Sequence, residues 1–141
     1  MKFQVRHYVK SDYSFIKSIL QESGMFDPVW DSKKNLNSMI KKNPKSILVS
    51  IIDNKVIGSI IISSHGSEVG LLFRLAIKKD HGNKGVGSKL LEYAEDSVSK
   101  SNAKEIGFFV DFKNKELQEY YFKRGYQTRK KPYLFMWKKL K

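Results

Sequence analysis

Leu75-Ala76-Ile77-Lys78-Lys79-Asp80-His81-Gly82-Asn83-Lys84-Gly85-Val86-Gly87-Ser88-Lys89-Leu90-Leu91 is the stretch that decides the fold. An apolar strand end runs into a turn with three glycines, and a helix follows. Glycines at such a junction let the backbone approach an anion closely. The N–H groups of the helix's first turn then point at that anion, with the positive end of the dipole behind them. A tight strand-to-helix turn that needs positive φ would use the same residues. A Walker A loop needs G-x-x-x-x-G-K-[ST]; Gly82 and Gly87 have the spacing, but Ser88-Lys89 stand in inverted order, which argues against an NTPase. A Rossmann G-x-G-x-x-G is absent, and the loop follows several strands instead of closing the first.

Working outward, Phe3, Val5 and Tyr8 mark a first strand, and Ser11-Asp12 offers the N-cap of a helix carrying Phe15, Ile16, Ile19 and Leu20, ended by Gly24. A second helix is expected from about Asp31, with Leu36, Met39 and Ile40 inward, stopping before Asn43-Pro44. Ser46 to Ile52 and Lys55 to Ser63 flank Asp53-Asn54 and read as an antiparallel hairpin, and Glu68 to Ile77 as a third member. From Gly85 to Lys100 the period changes from two to 3.6 residues, with Val86, Leu90, Leu91, Ala94 and Val98 on one stripe. A short strand over Glu105 to Asp111, a helix from Asn114 to Arg124 stopped by Gly125, and a closing strand over Tyr133 to Leu140 complete the order β-α-α-β-β-β-α-β-α-β. This is a single α+β domain over residues 1–141, without repeats or linkers.

The composition agrees with one core and points to an anionic partner. Of 141 residues, 40 % are hydrophobic, and 27 Lys+Arg against 14 Asp+Glu give a net charge of +13. The absence of cysteine excludes a disulfide framework, a thiolate zinc site and a cysteine nucleophile. No apolar run reaches the ~20 residues of a membrane helix, and the N-terminus lacks the apolar core of a signal peptide. A cytoplasmic protein that contacts no membrane is therefore expected. After Glu119 there is no acid, while Lys123, Arg124, Arg129, Lys130, Lys131, Lys138, Lys139 and Lys141 follow. That tail is a solvated face or a docking surface for an anion.

Gly85-Val86-Gly87 followed by Ser88-Lys89-Leu90-Leu91 resembles the GNAT family of acyl-CoA-dependent N-acyltransferases, whose pattern is [QR]-x-x-G-x-[GA] and then x-x-L-L. The family's leading Gln or Arg falls on Gly82, and Lys84 is the nearest basic replacement. A second family pattern, V-x-x-x-N-x-x-A-x-x-x-Y-x-x-x-G-[FY], is matched in register by Val110, Asn114, Tyr121, Gly125 and Tyr126, with Leu117 in place of the alanine. The resemblance implies the GNAT fold: a central mixed, mostly antiparallel sheet of about six to seven strands, flanked by four helices and splayed at an acetyl-CoA cleft.

The resemblance also implies a chemistry. A neutral primary amine attacks the thioester of acetyl-CoA directly, and no metal is needed. Leu75, Ala76 and Ile77 would line the cofactor with backbone groups, with Ile77 N–H near the thioester carbonyl, where a preorganised donor stabilises the developing oxyanion. The N–H groups of Gly82, Asn83, Lys84, Gly85, Val86, Gly87 and Ser88 would hold the pyrophosphate. Tyr121 occupies the position of the acid that protonates the CoA thiolate, and Asn114 caps its helix, touches CoA, or both. No acid lies on the strand before the turn, so Glu68 at the strand start is the closest candidate for the general base, followed by His65 and Asp111, with a water chain to solvent as an equal competitor. Arg74 in mid-strand is costly unless paired or wet; it is assigned, together with Trp30, to the acceptor site, where it would bind a carboxylate, or to a structural pair with an acid such as Glu68 or Asp111. The acceptor is a small-molecule, protein or peptide amine, and the protein a monomer or homodimer. A CoA-binding protein without catalysis, and a basic module for nucleic acid or ribonucleoprotein, are the alternatives. The latter is less favoured, because a closing strand would bury part of the tail's aromatics.

Overall fold

The computed structural model describes residues 2–141, and its first unit, running to Phe108, is built on one sheet. Strands β1 (Gln4–His7), β2 (Ile47–Ile52), β3 (Lys55–His65), β4 (Val69–Ile77) and β5 (Glu105–Gly107) lie in the order β1-β2-β3-β4-β5. All neighbours are antiparallel except β4 and β5, so the sheet is mixed and mostly antiparallel as expected. The β2–β3 hairpin closes through Asp53 (φ 48°) and Asn54 (φ 62°), the two left-handed residues of a type I′ connection.

Helices α1 (Tyr13–Glu22), α2 (Lys33–Lys42) and α3 (Val86–Lys100) belong to the same unit. Because successive strand residues point to opposite faces, Ile47 and Val49 join Ile16, Ile19, Leu20 and Leu36 in one core, while Ser50 lies near Gly58 and Leu90 of α3. A sheet covered on both faces explains why β2 and β3 read as near-continuous apolar runs. Two glycines set how closely α3 lies on the sheet. A Cβ on Gly58 would fall 3.1 Å from Leu90 Cδ1 of α3, besides 2.6 Å from Ser50 Oγ, and one on Gly70 would fall 2.6 Å from Val98 Cγ1.

Asp12 does not cap α1. Its carboxylate takes both nitrogens of Arg6, at 2.7 and 3.0 Å, together with the Val9 N–H at 2.9 Å. α2 starts two residues later than its composition suggests, behind Ser32, whose Oγ accepts from Asn35 N at 3.1 Å.

The second unit, Phe109–Lys141, holds α4 (Lys115–Lys123), capped by Asn114 Oδ1 accepting from Leu117 N at 3.0 Å and ended by Gly125 at φ 92°. The two units together carry five strands and four α-helices among the described residues, not six to seven strands. The expected strand at Glu105–Asp111 stops at Gly107, and the closing strand at Tyr133–Leu140 does not form. Aromatic-rich apolar runs such as these fit a pleated surface, but a strand exists only where its N–H and C=O groups meet a partner. In the tail the apolar side chains are exposed, and within this unit Phe135 meets Phe109 edge to face at 6.2 Å.

Candidate functional site

Three local features converge where β4 runs into α3. First, the ladder between β4 and β5 covers only Val69–Leu71 against Glu105–Gly107, so from Leu72 to Ile77 β4 has no ladder on that side. Lys78 N–H donates to Ile57 O at 2.8 Å; by alternation Ile77 N–H points away from β3, toward the open side.

Second, the chain turns through a short 3₁₀ segment, Lys79–His81, fixed by Glu22 Oε1 accepting from Lys79 N at 2.7 Å. Asn83 (φ 59°) and Gly85 (φ 82°) then take left-handed conformations. α3 opens on Gly85 without a side-chain cap, its first backbone bond being Lys89 N to Gly85 O at 3.0 Å. An uncapped helix start behind a glycine turn is a site for an anion's oxygens. Gly82, Asn83, Lys84 and Gly85 are exposed and Ser88 is half-buried, while the Val86 side chain is in the core, so Val86 has only its main chain to offer. A Cβ on Gly87 would reach Ile77 Cγ1 at 3.6 Å, ordinary contact, which shows how closely the helix start approaches the strand end.

Third, β4 is bulged. Ser59 pairs with Ala76 but Ile61 with Phe73, and Arg74 sits in the bulge at φ 57°, an uncommon conformation for a residue other than glycine. Its partner is neither Glu68 nor Asp111 but Asp31, whose Oδ1 accepts from Arg74 Nε at 2.9 Å. The Asp31 side chain is 2 % exposed, and its Oδ2 accepts from Asp27 N at 2.8 Å. Trp30 is 48 % exposed, and its ring centre lies 6.0 Å from the Arg74 guanidinium carbon. Backbone N–H groups of Trp30 and Val29 hold the Asp27 carboxyl below its ordinary range. The two residues assigned to an acceptor site, Arg74 and Trp30, are thus neighbours.

Glu68 is not brought to this end. It lies in the turn before β4, its Oε2 3.2 Å from Lys104 Nζ, while Ile77 is nine residues farther along the strand, roughly 25–30 Å. His65 pairs with Val69 at that same far end. Asp111 serves a turn in the second unit, its Oδ1 accepting from Lys113 N at 2.9 Å. Neither Glu68 nor His65 is therefore placed at the Ile77 end of β4.

In the second unit, Asn114 is occupied as the α4 cap. Tyr121 is buried between Tyr120 and Tyr126, at ring-centre distances of 5.2 and 5.7 Å, and burial pushes its phenol up to about 12. Asp31 and Glu22, which contact Arg74 and Lys79 of the candidate site, are not singled out by sequence reading. Asp31 resembled the first residue of a helix, and Glu22 carried no local signal at all. Among the described residues there is no group of three or more His, Asp or Glu side chains that could hold a metal ion, and no helix is long and apolar enough to cross a membrane.

No curated protein sequence matches the chain significantly. Among solved structures it is similar to the PaiA N-acetyltransferase of Thermoplasma acidophilum, solved in complex with coenzyme A: TM-score 0.81, 21 % identity, covering 94 % of each chain. Ard1 from Thermoplasma volcanium follows at TM-score 0.79 and 20 % identity, over 89 % of this chain and 82 % of that one. Glucosamine-6-phosphate N-acetyltransferase from Arabidopsis thaliana gives 0.74 and 17 %, over 98 % and 100 %. At such identities these likenesses establish the fold. The model of the acetyltransferase (GNAT) family matches residues 7–126, which takes in the glycine turn, the Arg74 bulge and α4, and the chain belongs to that family.

Proposed function

We infer that the chain transfers the acetyl group of acetyl-CoA to a primary amine by direct attack with both substrates bound. The observation that carries this reading is the junction of β4 and α3: a strand edge without a ladder from Leu72 onward, leading into a helix with no side-chain cap. Acetyl-CoA suits both halves. Its pyrophosphate fits the N–H groups of Gly82, Asn83, Lys84, Gly85, Val86, Gly87 and Ser88, and its arm fits the open main chain of Leu75, Ala76 and Ile77. The thioester supplies an activated acyl group. Ile77 N–H, aimed at the open side, is the donor for charge developing on the carbonyl oxygen.

Tyr121 takes its role from the motif alone. With a phenol at about 12, it stays protonated across the working range. Full transfer to a thiol of ordinary pKa about 8.5 is uphill, so Tyr121 serves the departing sulfur mainly as a hydrogen-bond donor. With Glu68 and His65 at the other end of the sheet, water carries the amine's proton to solvent. Titration calorimetry is expected to give one acetyl-CoA per chain, and Tyr121→Phe to lower kcat by about 10–100-fold with little change in that affinity. No binding would end the reading, and an unchanged kcat would remove Tyr121 from the mechanism.

One observation favours a second activity. Tyr133, Phe135 and Trp137, at 76, 61 and 77 % exposure, are flanked by Arg129, Lys130 and Lys131 on one side and Lys138 and Lys139 on the other, an arrangement that suits stacking on single-stranded nucleic acid. A steep fall of affinity with salt is the expected signature, and a shallow one would exclude contact with several phosphates.

A further inference from the structure

Arg74 occupies a position that suits glycine better than any other residue. It is the left-handed residue of the β4 bulge, and its side chain, 23 % exposed, is tied to a carboxylate 43 residues away in sequence. A left-handed position that glycine would occupy without strain here carries an arginine, whose guanidinium contacts offset that strain.

The way it is held shows which part is free. Asp31 engages only Nε, through Oδ1; its other oxygen is spent on the Asp27 N–H. The loop is itself fixed, since Tyr13 Oη donates to Asp31 O at 2.9 Å and Asn35 Nδ2 donates to Trp30 O at 2.6 Å. Nη1 and Nη2 of Arg74 have no hydrogen-bond partner among the described residues, and neither is sealed from solvent. The guanidinium is a planar fork with two usable edges. One edge is anchored to a buried carboxylate and flanked by the Trp30 ring; the other, end-on edge is not sealed from solvent, and the Asp27 carboxylate, not hydrogen-bonded to it, is close enough to feel the guanidinium charge. A surface lysine or a mobile arginine would not have this preorganisation. A planar oxyanion is the group whose geometry matches two parallel N–H donors. Three residues farther along the same strand lies Ile77, the start of the glycine turn.

We propose that Arg74, held by Asp31 and Trp30, binds a carboxylate of the amine acceptor, so that the substrates are amino acids or peptides with a free carboxylate. This rests on the acetyltransferase reading above. Asp31 is then a positioning residue and Arg74 the specificity-determining one.

The test is CoA release by the intact protein on matched pairs of amino acids and short peptides, each with a free or an amidated C-terminus, corrected for the fraction of unprotonated amine. The carboxylate member is expected to have a kcat/KM roughly 10–100-fold higher, carried by KM, the worth of two charge-assisted hydrogen bonds. In Arg74→Gln that ratio falls toward one, and in Arg74→Lys, which keeps the charge but loses the fork, it takes an intermediate value. Acetyl-CoA titration reports whether each variant is folded, and the wild-type ratio stands without any variant. A wild-type ratio near or below one overturns the proposal, as does the full ratio persisting in a variant that still binds acetyl-CoA. If neither member of any pair is acetylated although other amines are, the carboxylate assignment falls alone. If no amine is acetylated, the acetyltransferase reading falls with it.

Discussion

Gly85 and Gly82 stand three positions apart in the same turn and differ in what they require. Gly85 has φ 82° with open space around its absent Cβ, so Gly85→Ala is expected to cost about 1–2 kcal/mol of backbone strain and nothing in packing. If the turn holds the pyrophosphate, the same change weakens acetyl-CoA binding more than it lowers Tm, which titration and melting separate. Gly82 has an ordinary φ of −66°, and a Cβ there meets only Lys79 O at 3.5 Å. Gly82→Arg, which restores the residue type of the resembled motif, is therefore expected to fold normally and tighten acetyl-CoA binding by about 3–10-fold through one added phosphate contact. Unaltered affinity would mean that position 82 does not face the phosphates. Tyr8 shows the opposite situation: its hydroxyl is buried without a partner, so Tyr8→Phe is expected to leave Tm unchanged or raise it.

At the scale of elements, what was legible in sequence is what local physics determines. The change of period at Gly85, the left-handed pair Asp53-Asn54 between apolar runs, and Asn114 three residues before Leu117 each specify their structure without help from distant residues, and each is found in place. The bulge at Arg74 and its pairing with Asp31 were not legible, because a register shift and an ion pair across 43 residues exist only once the sheet has formed. The tail differs from its expected strand for the same reason: an aromatic-rich run suits a strand, but the ladder partner is not local. The glycines under α3 were equally silent. Gly70→Ala is expected to cost about 1–3 kcal/mol by pushing its methyl into Val98, and most of that cost should vanish in the Val98→Ala background. Additive melting shifts in the double variant would show that α3 does not approach β4 as closely as the 2.6 Å gap requires.

For the whole molecule, the +13 charge has a narrower meaning than composition gave it. Lys78, Lys79, Lys84 and Lys89 lie within a few residues of the glycine turn in sequence, and within the second unit the acid-free tail exposes its aromatics. Charge also predicts behaviour at high pH. Burial pushes the Tyr8 and Tyr121 phenols up to about 12, while the unfolded phenol ionises near 10.0. Both are neutral in either state well below 10, by about pH 8, so they contribute no pH dependence there. Between about 10 and 12 the unfolded chain releases protons that the folded one retains, and stability falls as pH rises. Melting curves over that range check the sign, and the loss should be smaller in Tyr8→Phe. The central claim, acetyl transfer to an amine, is tested most directly by mass spectrometry of an amine panel incubated with acetyl-CoA and the protein. The account predicts an acetylated amine formed one-for-one with free CoA; acetyl-CoA that binds, yet yields neither acetylated amine nor CoA above the blank, would contradict it.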